Sequence, residues 1–177
     1  MKQIIITFAI IFSCCCCNNI KEKKEYDYET FRMNFALFVL NENQIGKKYF
    51  VRYDTLNYNL EDEFTWLGEI KNSKENNLNF LFCTTFSGIY ADCKRANSNV
   101  LIFKKNKLWG YYYVGGGFEK VPIINGSDLI FFPSEWQECN LTTTINFRDS
   151  VPQQIFIKCS NENIVSGDLF TLYKVTN

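Results

Sequence analysis

Histidine is absent from all 177 residues. That removes the side chain which most often serves as a general base near neutral pH and most often ligates metals. Serine–histidine and cysteine–histidine nucleophile systems are thereby excluded, as is zinc held through imidazole. An excess of one charge is missing too, since 19 Lys and Arg stand against 19 Asp and Glu. A nucleic-acid partner needs a basic stripe to displace phosphate counterions, so the balance excludes that class. No apolar run reaches the length of about 20 residues that a bilayer-spanning helix takes. What catalysis remains would rest on carboxylates, tyrosine or lysine. The expectation is therefore a protein that is not an enzyme and uses no cofactor and no metal.

The most informative segment that is present is Met1 to Cys17. Lys2 precedes an apolar stretch, Ile4 to Phe12, which ends in Ser13 and four consecutive cysteines, Cys14 to Cys17. A basic start, a short hydrophobic segment and a small residue at a processing point are the layout of a secretory signal. Four adjacent cysteines lack the spacers of a zinc site. Ile11-Phe12-Ser13-Cys14 resembles the bacterial lipobox, with Phe12 bulkier than the residue usual at its position. The resemblance implies cleavage before Cys14 and lipidation of its thiol, and two or three acyl chains hold a protein stably on a membrane. The chain thus divides into a signal peptide (1–13), a lipidated cysteine with a polar tether (14–27) and one domain (28–177). Its asparagine- and phenylalanine-rich flavour is similar to small lipoproteins of Bacteroidota. That likeness implies a palmitate-type anchor and a cell-envelope location, at the outer membrane, on either face.

Hydrophobic residues make up 46% of the chain and aromatic residues 17%, which excludes disorder and suits strands. From Lys47 onward, apolar runs of five to nine residues alternate with Asn, Gly, Ser, Asp or Pro. They predict strands over 47–53, 63–70, 78–86, 89–93, 99–104, 108–114, 128–132, 140–147, 153–159 and 168–175. Leu78, Phe80, Phe82, Thr84 and Phe86 share one strand face; Leu141, Thr143, Ile145 and Phe147 share another. Short gaps favour hairpin neighbours, so the fold class is all-β, mainly antiparallel, a meander closing into a barrel or a two-sheet sandwich. Residues 28–40 satisfy two periods at once. Phe31, Met33, Phe35, Leu37 and Val39 alternate as in a strand, while Tyr28, Phe31, Phe35, Phe38 and Val39 share one helical face, leaving an N-terminal helix open.

Cys83, Cys93, Cys139 and Cys159 are an even set in a chain bound for a disulfide-permitting compartment. Cys139 shares parity with Leu141, Ile145 and Phe147, and Cys159 with Ile155 and Ile157. Both thiols are expected on the buried side of a hairpin turning at Arg148 to Pro152, where a 139–159 bridge is geometrically allowed. Cys83 and Cys93 flank a Ser87-Gly88 turn and form a candidate second pair, with free buried thiols as the alternative.

Few motifs carry chemistry. Gly115-Gly116-Gly117 is followed by Phe118 to Pro122 rather than by a helix, so a flexible turn is expected and not a phosphate loop. Glu61-Asp62-Glu63 is expected as a solvated turn, because consecutive carboxylates on an extended chain point apart and no calcium-loop pattern surrounds them. Trp109, Tyr111 and Tyr113 fall on one strand face and are a candidate ligand face of the kind on which sugar rings stack. Trp66 and Trp136 are candidate contributors, and an aromatic core wall is the alternative. Asp54-Thr55-Leu56 and Asp149-Ser150-Val151 resemble the Bacteroidota O-glycosylation motif, which implies Thr55 and Ser150 as acceptors. The sequons at Asn125 and Asn140 are accidental matches in an asparagine-rich chain.

The expected function is a membrane-anchored, non-enzymatic binding or interaction module, with a glycan, peptide or protein partner. Two alternatives remain open. One is an immunity or inhibitor lipoprotein that binds a toxin or enzyme through an acidic loop such as Glu61 to Glu63. The other is a carboxylate-dependent glycan hydrolase.

Overall fold

The computed structural model describes residues 28–55, 58–90, 93–134, 139–160 and 166–175. The expected signal and tether, with Cys14, lie outside these residues, as does Trp136. The segment with two periods is a helix, α1 (Tyr28–Glu42). Leu, Met, Ala, Glu and Arg favour helix and no Gly or Pro interrupts the run. Asn43 ends it in the left-handed region, at φ 54°.

Ten strands follow: β1 (Lys48–Thr55), β2 (Tyr58–Asn72), β3 (Asn76–Gly88), β4 (Arg95–Lys104), β5 (Lys107–Gly115), β6 (Ile123–Asn125), β7 (Asp128–Phe131), β8 (Thr143–Asn146), β9 (Gln154–Ser160) and β10 (Ser166–Lys174). All pairings are antiparallel. A seven-stranded sheet runs in the order β1-β2-β3-β4-β5-β10-β9, and a three-stranded sheet in the order β6-β7-β8. The all-β, mainly antiparallel expectation holds, and of barrel and sandwich it is the sandwich that fits. Turn chemistry drives the meander. Lys105 and Asn106, both at positive φ, close the two-residue β4–β5 hairpin in the primed-turn geometry that matches strand twist. The Asn72 Oδ1 accepts from the Lys74 and Glu75 N–H groups, each at 2.9 Å, and shapes the β2–β3 turn.

Alternation divides the seven-stranded sheet into two faces. One face supplies Leu78, Phe80, Phe82, Val100, Ile102 and Tyr112 to a large core closed by Leu129, Phe131 and Phe147 from the small sheet. The other supplies Phe64, Trp66, Leu81, Cys83, Leu101 and Phe103 to a smaller core that α1 closes with Ala36 and Val39. Phe31, Phe35 and Phe38 form a ridge beside it, with Phe35 against Phe64 at 5.6 Å and Phe31 edge-on to Tyr53 at 4.9 Å. Full burial of such a ring contributes about 1.5–3 kcal/mol, and these rings, partly buried, contribute a fraction of that each. The apolar sheet face needs a cover, and α1 supplies it with one row of side chains.

Several sequence expectations need correction. The expected strand 89–93 is not seen at Ile89, Tyr90 or Cys93, since β3 ends at Gly88 and Ile89 and Tyr90 are exposed; residues 91–92 lie outside the described residues. The chain returns close over Gly88, where a Cβ would meet the Cys93 carbonyl oxygen at 2.6 Å. The short strand β6 was not among the expected ones. Cys139 and Cys159 are bridged, but not across a hairpin. β8 pairs with β7 and β9 with β10, so the disulfide ties the chain leading into the small sheet to the edge of the large one. The Asn140 N–H donates to the Cys159 carbonyl at 2.8 Å, and the Lys158 N–H donates to the Thr143 hydroxyl at 2.8 Å, which covers that edge.

The bridge closes a separation of 20 residues. By chain entropy that is worth about 3 kcal/mol. The double substitution Cys139→Ser/Cys159→Ser is expected to lower the unfolding free energy by about that amount in urea titration. A change below about 1 kcal/mol would mean the link constrains little.

Cys83 and Cys93 are both free, so the second pair does not form. Cys93 lies beside Gly88, five residues along β3 from Cys83, a span of about 16 Å at strand rise, whereas a disulfide needs Cα atoms within about 7 Å. Burial pushes the Cys83 thiol up to about 12, against the opposing pull of Arg32. Iodoacetamide is therefore expected to label Cys93 in the native protein and Cys83 only after unfolding, as read by peptide mass spectrometry.

Candidate functional site: a cleft between the large sheet and the 116–122 loop

Strand parity assembles the site. Along β2, Asp62, Phe64 and Trp66 face the helix, so Glu61, Glu63 and Thr65 face the other way. Across the ladder, Lys48 stands opposite Thr65, Phe50 opposite Glu63, and Arg52 opposite Glu61. From β3 come Phe82, Thr84 and Phe86. The facing wall is the segment that leaves β5 at Gly115, which is at φ +83° and so turns where a side chain would be strained. Phe118 fastens that wall, its ring edge-on to Phe82 at 5.5 Å and 5.8 Å from Phe131. Pro122 is buried behind it.

Between these walls lie two adjoining cavities. The first is a cleft of about 530 Å³ with a mixed lining, in which Lys48, Glu63, Lys94 and Glu119 stand beside Phe82, Phe86 and Phe118. The second is a mainly apolar chamber of about 340 Å³, bounded by Ile45, Leu67, Val121, Ile123 and Ile124, with Thr65 in its wall. Lys48, Glu119 and Val121 line both, so the two share a wall. The volumes are those of ordinary small-ligand sites.

The charges are arranged in cross-strand pairs. The Lys48 ammonium is 2.9 Å from Glu63, and Glu61 takes hydrogen bonds from Arg52 and from Lys94 at 3.0 and 3.4 Å. Those from Arg52 are the main reason the Glu61 carboxyl sits below the usual carboxylate range, against its partial burial, and Lys94 adds to the effect. Thr84 and Ser98 share a hydrogen bond at 3.0 Å on the buried floor.

This placement corrects the reading of Glu61-Asp62-Glu63 as a solvated turn. The run lies inside β2. Asp62 is fully buried on the helix side, where it accepts from the Tyr28 hydroxyl at 2.9 Å and from the Thr85 hydroxyl, with the Arg32 guanidinium at 3.5 Å. Arg32 also donates to the Cys83 sulfur at 3.3 Å. Burial, and after it the Asp62 charge, raises the Tyr28 phenol above its usual range.

The aromatic ladder is divided. A bulge leaves Trp109 as the extra residue between Leu108, opposite Phe103, and Gly110, opposite Ile102. Trp109 consequently packs against the large core and lies under the Lys174 ammonium at 5.0 Å. Tyr111 packs on the helix-side core and stacks on Tyr173 at 5.2 Å. Tyr113 is 46% exposed and Tyr173 53%, with the Tyr113 hydroxyl donating to Asn97 at 2.7 Å. Trp66 is buried beneath α1 with its side chain in the helix-side core, and only Tyr113 of the expected three faces solvent freely. Gly115 to Gly117 lead into the cleft wall and not into a helix. Thr55 closes β1, Leu56 falls outside the described residues, and Ser150 is exposed in the loop before β9.

Among the described residues, no cluster of three or more acidic or cysteine side chains is arranged to hold a metal. Sequence reading missed the cleft residues Lys48, Thr65, Lys94 and Glu119, which no local pattern marks. Neither a protein-family model, nor a curated protein, nor a solved structure matches the chain.

Proposed function

We propose that the chain is a lipid-anchored, non-enzymatic binding protein of the bacterial cell envelope, and that the cleft holds its ligand. The observation that carries this reading is the pair of adjoining cavities, one with opposed charges and aromatic rings and the other mainly apolar. The lipobox-like Ser13-Cys14 supports the anchor, with Cys14 as acyl acceptor at the outer membrane. The absence of histidine and the ion pairing of both Glu61 and Glu63 favour holding a ligand over hydrolysing one. An inhibitor presenting that acidic run as a free loop draws less support, since each of its carboxylates already has a cation beside it.

Two measurements test the proposal. Fatty-acid probe labelling in cells is expected to be lost in Cys14→Ala, with the protein leaving the membrane fraction; unchanged labelling refutes the anchor. A photo-crosslinking residue placed at Ile123, on the chamber rim, is expected to capture a ligand in intact cells that the same residue at Ser150 does not. Equal capture at both positions refutes the cleft.

A further inference from the structure

We infer that β1, the uncovered edge of the large sheet, pairs antiparallel with β1 of a second copy of the chain, across a two-fold axis at Val51. Two seven-stranded sheets then become one continuous sheet. Three observations lead to this pairing.

The first is a contrast between the two edges of the large sheet. β9 is covered: its Lys158 N–H donates to the Thr143 hydroxyl and its Cys159 carbonyl accepts from the Asn140 N–H, both at 2.8 Å. β1 is the other edge, and among the described residues only β2 hydrogen-bonds to its backbone. Its outer N–H and C=O groups are an open ladder. The usual devices that blunt such an edge are missing. β1 holds no proline, and its register with β2 runs from Lys48 to Thr55 without a bulge. Its two cations do not guard it either, because Lys48 is drawn to Glu63 at 2.9 Å and Arg52 to Glu61 at 3.0 Å, both back on β2.

The second is that the residue order of β1 complements itself. Outward from Val51 come Phe50 and Arg52, then Tyr49 and Tyr53, then Lys48 and Asp54. A two-fold axis at Val51 sets each residue opposite the other member of its pair. A cation then meets an anion at both ends, a ring meets a guanidinium, tyrosine meets tyrosine and valine meets valine. Opposite residues of an antiparallel ladder share a face, so the axis falls on a residue and not between two. An axis at Phe50 sets Lys48 against Arg52, and an axis at Arg52 sets that guanidinium against its own copy. Like charges directly opposite are destabilising, which leaves the register at Val51. A strand of another protein fits this order only by coincidence, whereas a second copy always carries it.

The third is apolar surface left open along the same edge. The helix closes its core over Phe64 of β2 and Leu81 and Cys83 of β3, and its aromatic ridge reaches as far as β1. There Phe31 is 4.9 Å from Tyr53 and Phe38 is 6.0 Å from Tyr49. Phe38 is 46% exposed, and on the opposite face of the sheet Phe50 is 58% exposed. Large rings thus stand uncovered on both sides of one open ladder. Under the two-fold, Tyr53 with its Phe31 comes opposite the second copy's Tyr49 with its Phe38. Pairing removes apolar surface from water on both faces at once.

The test uses the full-length protein in mild detergent, its mass in solution read by sedimentation velocity over a dilution series. The wild type is expected to be a dimer that dissociates on dilution. Phe50→Lys sets a cation opposite Arg52 of the second copy, and Phe50→Glu sets an anion there. The axis counts each change twice, so Phe50→Glu is expected to associate about tenfold or more tightly than Phe50→Lys. Both variants lose the same exposed ring, so its apolar contribution cancels between them, and circular dichroism checks that each keeps its strands. Equal weakening by the two overturns the inference, being the result of an axis at Phe50 or of a need for the ring alone. The reverse order, which an axis at Arg52 would give, overturns it as well. A dimer indifferent to both substitutions is held elsewhere, which also refutes the pairing. A monomeric wild type refutes it outright, and leaves the edge of β1 to a strand of a different protein.

Discussion

Replacing Asp62 with alanine is expected to lower the unfolding free energy by about 3–5 kcal/mol, measured by urea denaturation with an unchanged m-value. The carboxylate is fully buried and joins α1 to the sheet through the Tyr28 hydroxyl, the Arg32 guanidinium and the Thr85 hydroxyl. Its removal leaves Arg32 mostly buried, and the remaining anion within reach, Glu29 at 3.8 Å, lies on an exposed helical turn. Surface ion pairs of that kind are worth about 0–1 kcal/mol and do not replace a buried partner. A double substitution, Arg32→Met with Asp62→Leu, is expected to cost less than Asp62→Ala alone, because it removes both charges and leaves apolar volume behind. Should Asp62→Ala cost less than about 1 kcal/mol, the network does not hold α1 to the sheet. The network also fixes Tyr28, at the start of α1, onto β2.

Phe147→Ala is expected to destabilise by about 3–5 kcal/mol, since a fully buried ring is lost and the surroundings refill the space only in part. For a domain of this size that corresponds to a fall in Tm of about 6–20 °C, at about 2–4 °C per kcal/mol. The ring lies edge-on to Phe80 at 4.9 Å and near Tyr112 at 6.3 Å, both on the large sheet. The backbone of Phe147 is held from both sides, its N–H donating to the Ser127 carbonyl at 2.8 Å and its own carbonyl accepting from the Asn72 amide. Phe147 is thus where the small sheet is fastened to the large one. Because the small sheet carries Ile124 of the chamber wall, the same substitution is expected to weaken ligand binding at temperatures where the fold persists. Phe147→Leu is expected to lose roughly half as much, which separates volume from backbone effects. A loss confined to about 1 kcal/mol in Phe147→Ala would show that the two sheets pack independently.

Local periodicity made parts of this architecture readable. Leu78, Phe80, Phe82, Thr84 and Phe86 were legible as one face because alternation is a property of a single extended strand. The Cys139–Cys159 pair was legible from number and parity, although its setting was not. The sequence does not record that β8 would leave its neighbour for β7 and that the bridge would join two sheets. Trp109 shows the limit of parity: one bulged residue on β5 sends it to the opposite face from Tyr111. Residues 28–40 carried two periods of similar strength, and packing chose between them, since α1 covers a sheet face that would otherwise be wet.

What the chain determined by itself is strand-rich character, the positions of most turns, the thiol pairing and the exclusion of histidine chemistry. Each of these depends on residue type or on neighbours a few positions away. What only the tertiary structure decided is the cleft. Lys48, Thr65, Phe86 and Val121 converge there from three strands and a loop. The pairing of the acidic run belongs with it, because cations from α1, β1 and the turn after β3 reach Glu61, Asp62 and Glu63 through space. Electrostatic and apolar contacts depend on distance in the fold, and antiparallel ladders bring together residues that no short sequence window contains.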